Sequence, residues 1–155
     1  MVDGMNVIGS RPDGWWRDRA AARRRLVSDL ATLAGPESEV TVVFDGRPDP
    51  GEAEAARARG VTALFAPGGP NAADHAIVDL LGTLGDGAGT TVVTSDSALA
   101  DAVRRAGVAV EGTKAFRGRL PEADEPPGPA GAGARAGPRG GPRRGARAPR
   151  RPPRS

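Results

Sequence analysis

Residues 40–46 read VTVVFDG, from Val40 to Gly46. Five consecutive β-branched or aromatic residues with no polar alternation describe a strand buried on both faces, as in a parallel sheet covered by helices. The Asp45-Gly46 pair then ends the strand at a turn. Working outward, Val61 to Phe65 (VTALF), Thr90 to Val93 (TTVV) and Val108 to Val110 repeat the unalternating apolar pattern. A fifth strand is implied at the start, where Met1 and Val2 precede Asp3. Two residues is short for a central strand, so either that strand is stunted or the true start lies upstream.

Helix-length segments separate these runs. Arg19 to Ala34 carries Ala22, Leu26, Leu30 and Leu33 near the 3.6 period and meets Gly35-Pro36. Pro50 to Arg59 predicts a polar helix with its acids first and its arginines last, in accord with the macrodipole. Asn71 is the expected cap of a helix from Ala72 to Leu84, whose Ile77, Leu80, Leu81 and Leu84 share a stripe. Ser97 to Ala106 carries Leu99, Ala102, Val103 and Ala106 on one face before Gly107. Strands alternating with helices predict an α/β fold with a single doubly wound parallel sheet of about five strands.

The fold must lie within 1–120. Residues 121–155 comprise nine Pro, seven Gly, seven Ala, eight Arg, three acids and one Ser, without one Val, Ile, Leu, Met or aromatic residue. Such a segment cannot offset its conformational entropy by burial and is expected to be a disordered basic tail. Its net charge of +5 leaves the body slightly acidic, with 14 basic against 16 acidic residues. With no cysteine in 155 residues, disulfides, thiolate metal sites and cysteine nucleophiles are excluded. No apolar run approaches the roughly 20 residues of a membrane span, and no signal-peptide pattern opens the chain. The expected location is the cytoplasm.

The acids are placed tellingly. Asp3, Asp45 and Asp96 each follow a different strand, and ligand sites of open parallel sheets lie beyond the carboxyl ends of strands. Asp74 precedes Ile77 by three residues and Leu81 by seven, so a carboxylate enters the same region on the sheet-facing side of a helix. Capping a helix is the ordinary role of any one such aspartate. Four carboxylates in one crevice repel one another unless a cation neutralises them, and oxygen-only ligation selects Mg²⁺ or Mn²⁺. Asp79 and Asp101 fall off the apolar stripes and read as solvated charges.

Together, VDGMN at Val2 to Asn6, VFDG at Val43 to Gly46, AAD at Ala72 to Asp74 and TSD at Thr94 to Asp96 resemble, in order and spacing, the motifs of YacP-like NYN domains in the PIN-like nuclease group. The resemblance covers about residues 1–120. It implies a sheet order of 3-2-1-4-5 and a divalent-metal-dependent endoribonuclease site built from Asp3, Asp74 and Asp96 with Asp45 close by. Asn6 matches the family's DGxN asparagine, implying that it positions a carboxylate or a phosphate. Many members carry an acid after the helix aspartate, where this chain has His75, which reads as a surface residue.

The chemistry expected of such a site is phosphodiester hydrolysis by a metal-activated water, with Mg²⁺ or Mn²⁺ stabilising charge on the attacking and leaving oxygens. Other classes fit poorly: G-x-S-x-G is absent, the glycine-rich Ala66 to Pro70 lacks the P-loop Gly-Lys-Ser/Thr, and Asp3-Gly4-Met5 supplies no phosphatase D-x-D pair. Trp15 and Trp16, with Arg11 and Arg17, are candidates to stack on unpaired bases and grip phosphate, while a plug at the core edge is the alternative for one of the tryptophans. Arg23-Arg24-Arg25 reads equally as a solvated flank or an RNA contact, and the tail's arginines suit salt-sensitive attraction to RNA. The leading expectation is an endoribonuclease acting on single-stranded or ribosome-associated RNA. The alternative is a PIN-like RNA-binding protein that does not cut.

Overall fold

The computed structural model describes residues 1–121. The tail expected to be disordered therefore lies, apart from Pro121, outside the described residues. Five parallel strands form one sheet: β1 (Val2–Asp3), β2 (Val40–Asp45), β3 (Val61–Ala66), β4 (Thr91–Val93) and β5 (Ala109–Glu111). Their order is β3-β2-β1-β4-β5, the 3-2-1-4-5 arrangement of a doubly wound sheet. The stunted strand is central. Val2 pairs with Val42 on one side and Val93 on the other, and the Val93 N–H donates to the Met1 carbonyl at 2.9 Å, lengthening the ladder by one residue.

Strand alternation divides the core in two. Val2, Val40, Val42, Phe44, Val61, Ala63 and Val93 face α1 (Gly4–Gly9), α2 (Arg19–Ala31), α3 (Glu52–Arg57) and α6 (Thr113–Arg117), meeting Val7, Leu26, Leu30, Ala56 and Phe116. Val43, Ala66 and Val92 face α4 (Ala72–Thr83) and α5 (Ser97–Arg105), meeting Ala73, Ile77, Leu81, Leu99 and Val103. Three layers result, with the helices on both faces explaining why the strand sequences do not alternate.

The short helices α1 and α6 and the 3₁₀ turn Trp15–Arg17 were not expected, since six, five and three residues carry no readable period. The α2 helix stops at Ala31, where the Thr32 hydroxyl donates to the Asp29 carbonyl. Leu84, expected on the α4 stripe, is 49% exposed, because the helix has already ended. Gly4 is dictated by packing: a Cβ there would stand 2.5 Å from two ring carbons of the fully buried Phe44 and 2.9 Å from a methyl of Val42. The glycine thus lets α1 lie directly on β2. No helix among the described residues is long and apolar enough to cross a membrane.

Candidate active site at the carboxyl edge of the sheet

Because the strands are parallel, β1, β2 and β4 all deliver their carboxyl ends to one edge, where α1, α4 and α5 begin. Asp3 is buried there at 4% exposure. Its Oδ1 accepts the Asn6 N–H at 3.3 Å, capping α1, and its Oδ2 accepts the Thr94 hydroxyl at 3.0 Å. Burial nevertheless drives its pKa up to about 6 from 3.8, against the two hydrogen bonds and with help from the Asp74 and Asp45 charges.

Asp45 caps α4 from across the chain, with Oδ1 accepting the Ala73 N–H at 2.9 Å. This corrects the assignment of that cap to Asn71, which occupies the N-cap position at φ 65° and makes no side-chain cap bond. Asn71 takes the left-handed backbone conformation without capping, and the free donor goes to the β2 aspartate instead. The bond anchors the residue immediately before Asp74, whose half-buried carboxyl is pushed above its ordinary range by burial, then by the Asp96 and Asp45 charges. Asp96 caps α5, with Oδ1 accepting the Leu99 N–H at 2.8 Å. Capping does not exhaust these side chains: among the described residues, Asp45 and Asp96 each engage only one carboxylate oxygen in hydrogen bonding.

Two positions bind the edge into a unit. Thr94, 1% exposed, donates to Asp3 and accepts the Asp96 N–H at 3.1 Å, so one hydroxyl spans two of the carboxylate residues. Asn6 Oδ1 accepts the Ser95 N–H at 2.9 Å and ties α1 to the loop carrying Asp96. The Ser95 hydroxyl in turn meets the Thr113 hydroxyl at 2.7 Å and accepts the Thr113 N–H, joining α6 to the same loop. In the sequence Thr94 stands out only as part of the TSD motif, with no role of its own; a hydroxyl closing an apolar strand is the signal it offers.

The four carboxylates are all hard oxygen donors, and their mutual repulsion is felt at Asp3 and Asp74. This chemistry fits a hard divalent cation. Among the described residues, however, no three carboxylate or imidazole groups already stand in ligating geometry around one point. His75 is exposed.

The other expected contacts are more scattered. Arg11 lines a cavity of about 30 Å³ between α1 and α2 with Val7, Ile8 and Leu26, where its charge opposes the burial-raised pKa of Asp29. Trp15 is half-buried against the core and meets Trp16 edge-to-face at 6.1 Å, whereas Trp16 is 57% exposed. Arg17 is exposed on the same turn. Arg23 is neither a solvated flank nor free for RNA: it is 7% exposed, pairs twice with Glu52 at 2.6 and 2.9 Å, and lies over the Phe65 ring.

The fold is shared with known proteins. The chain is similar to two solved structures of Rae1 (YacP) from Bacillus subtilis. One matches with a TM-score of 0.58 and 26% identity over 76% of this chain and 70% of that one. A tryptophan-to-leucine mutant matches at 0.56 and 26%, over 73% and 68%. No curated protein matches the chain. The model of the YacP-like NYN domain matches residues 1–126. NYN domains are PIN-like, are generally nucleases acting on RNA, and generally use divalent metals. With its sheet order, its carboxylate edge and this match over most of its length, the chain belongs to the YacP-like NYN domain family.

Proposed function

We propose that this protein is an endoribonuclease, dependent on Mg²⁺ or Mn²⁺, that hydrolyses phosphodiester bonds of RNA at the carboxyl edge of its sheet. The observation that carries the reading is the convergence of Asp3, Asp45, Asp74 and Asp96 from four different elements on one edge, close enough for their charges to raise the pKa values of Asp3 and Asp74. A fold gains nothing in stability from such repulsion, so the cluster answers to a cation.

Asp3, Asp74 and Asp96 would hold the ion, with Asp45 completing the acidic edge while fixing the first turn of α4. The ion, when bound, supplies charge neutralisation at the phosphate and lowers the pKa of an attacking water. Thr94 holds the Asp3 carboxylate in one rotamer and the Asp96 backbone in register with it. Asn6 positions Asp96 through the Ser95 amide. No side-chain nucleophile is required. Residues 1–120 form the catalytic unit in this reading, and the eight arginines of 121–155 add sequence-independent attraction to RNA, free or on the ribosome, in the cytoplasm.

The test is a Mn²⁺ titration against labelled single-stranded RNA, comparing wild type with the Asp3→Asn/Asp96→Asn variant. Cleavage that requires metal and vanishes in the variant supports the reading. RNA binding without cleavage, unchanged by the variant, refutes it in favour of a non-cutting RNA-binding protein.

A further inference from the structure

Beside the acidic edge stands a surface of opposite sign. A cleft of about 480 Å³ opens next to Asp45, lined by Arg19 and Arg23 of α2, by Arg47 from the β2–α3 turn, and by the backbone turns at Gly46 and Gly69. The three arginines are not equivalent. Arg23 is compensated inside the fold by Glu52 and lies 3.9 Å from Asp49. Arg19 and Arg47 are exposed, and among the described residues neither has a carboxylate within 4.0 Å. Two cations without an ion-pair partner among the described residues therefore line a cleft whose wall also includes Asp45 of the carboxylate edge.

The groove also leads to an aromatic surface. The Arg19 guanidinium lies 5.9 Å from the centre of the Trp15 ring, which meets the exposed Trp16 edge-to-face. From the acidic edge, Arg19 therefore leads to the Trp15–Trp16 pair, an arrangement that suits a strand of nucleic acid, with phosphates on arginine and bases on an aromatic face. A small anion would need one pocket with converging donors. An open groove with arginines on separate elements instead matches a polyanion that passes through.

We propose that this cleft seats the sugar–phosphate backbone of single-stranded RNA beside the bond to be cut, with Arg47 and Arg19 each holding a phosphate and Trp16 stacking on a base beyond them. The inference deepens the nuclease reading and rests on it for the position of the scissile bond.

The test is fluorescence anisotropy of a labelled single-stranded RNA on the full chain in EDTA, over a series of salt concentrations. Arg47→Ala and Arg19→Ala should each weaken binding about tenfold or more, as the loss of a charge-assisted hydrogen bond does. Each should also flatten the logarithmic salt slope by about 0.7, the value for one phosphate contact on a single strand. Arg47→Lys should restore the slope, and Arg105→Ala, at the far end of α5, should change neither quantity. In Mn²⁺, Arg47→Ala should raise KM with kcat held within about twofold. Should Arg19→Ala lose its fold along with its contact to Trp15, Arg47→Ala in its exposed turn carries the test.

Wild-type affinity and slope in Arg47→Ala, or no RNA binding by wild type, overturn the proposal. Loss of binding in these variants of a protein that never cleaves supports the cleft and refutes the nuclease reading. Metal-dependent cleavage with binding indifferent to Arg47 does the reverse.

Discussion

Replacing Asp3 by Asn should make the metal-free protein more stable at neutral pH. Asp3 is 4% exposed, and its pKa stands at about 6 in the fold against 3.8 for the free group. At 1.36 kcal/mol per pH unit, holding that carboxylate charged costs the fold about 3 kcal/mol above pH 6. The sign follows from proton binding. Between pH 3.8 and 6 the folded protein binds more protons at Asp3 than the unfolded chain does, so this residue's contribution makes stability fall as pH rises through the window. Below 3.8 both states are protonated and the penalty vanishes. Asparagine removes the charge, and its carbonyl can still accept the Asn6 N–H. It faces Thr94 with a donor, however, and Thr94 already accepts the Asp96 N–H, an imperfection costing about 1 kcal/mol. The expected net gain is about 2 kcal/mol at pH 7.5, read by urea denaturation in EDTA, shrinking as pH falls and turning into a loss of up to about 1 kcal/mol below pH 3.8, where only the imperfect Thr94 contact remains. Millimolar Mn²⁺ should reverse the ranking, because the ion stabilises the fold that holds it and binds the wild type more tightly. A variant equal to or less stable than wild type at pH 7.5 in EDTA would refute the reasoning that Asp3 is a charge held against the fold's preference.

Other expectations follow from individual contacts. Gly4→Ala should destabilise by about 1–3 kcal/mol in urea denaturation, since its methyl must displace the buried Phe44 ring; a neutral effect would show that α1 can lift from β2 without loss. Glu52 is buried, but hydrogen bonds from Arg23 and the Asp49 N–H outweigh burial and hold its pKa below the ordinary value. Its contribution is thus present above 4.5 and lost as pH falls through the lower folded value. Glu52→Gln should lower stability by about 3 kcal/mol at pH 7, measured by calorimetric melting, because Arg23 would remain buried with only Asp49 at 3.9 Å. Asn6→Ala should reduce kcat for RNA cleavage about tenfold with melting changed by only a few degrees, since it frees the Ser95–Asp96 loop without opening the core; an unchanged kcat would mean that Thr94 alone positions Asp96.

The layering of this protein is written in its local chemistry. Unalternating runs such as VTVVF require helices on both faces, and the residues that break them, Asp45-Gly46 and Ser95-Asp96, mark the strand ends where a parallel sheet gathers its ligands. The carboxylates of the candidate site were legible for that reason: Asp3 and Asp45 close their strands, Asp96 follows one within three residues, and Asp74 lies in the first turn of an apolar helix. Tertiary structure decided what spacing cannot carry. Whether Asn71 or Asp45 caps α4 depends on a residue 28 positions away reaching a free N–H, and the pairing of Thr94 with Asp3 spans 91 positions. Arg23 looks like its neighbours Arg24 and Arg25 until the helix turns it inward onto Glu52, which leaves Arg19 and Arg47 as the exposed cations beside the acidic edge. Local sequence sets backbone propensity and burial pattern through nearest neighbours. Which charges are compensated, and which face outward, is settled only when the chain folds back on itself and brings distant groups within hydrogen-bonding reach.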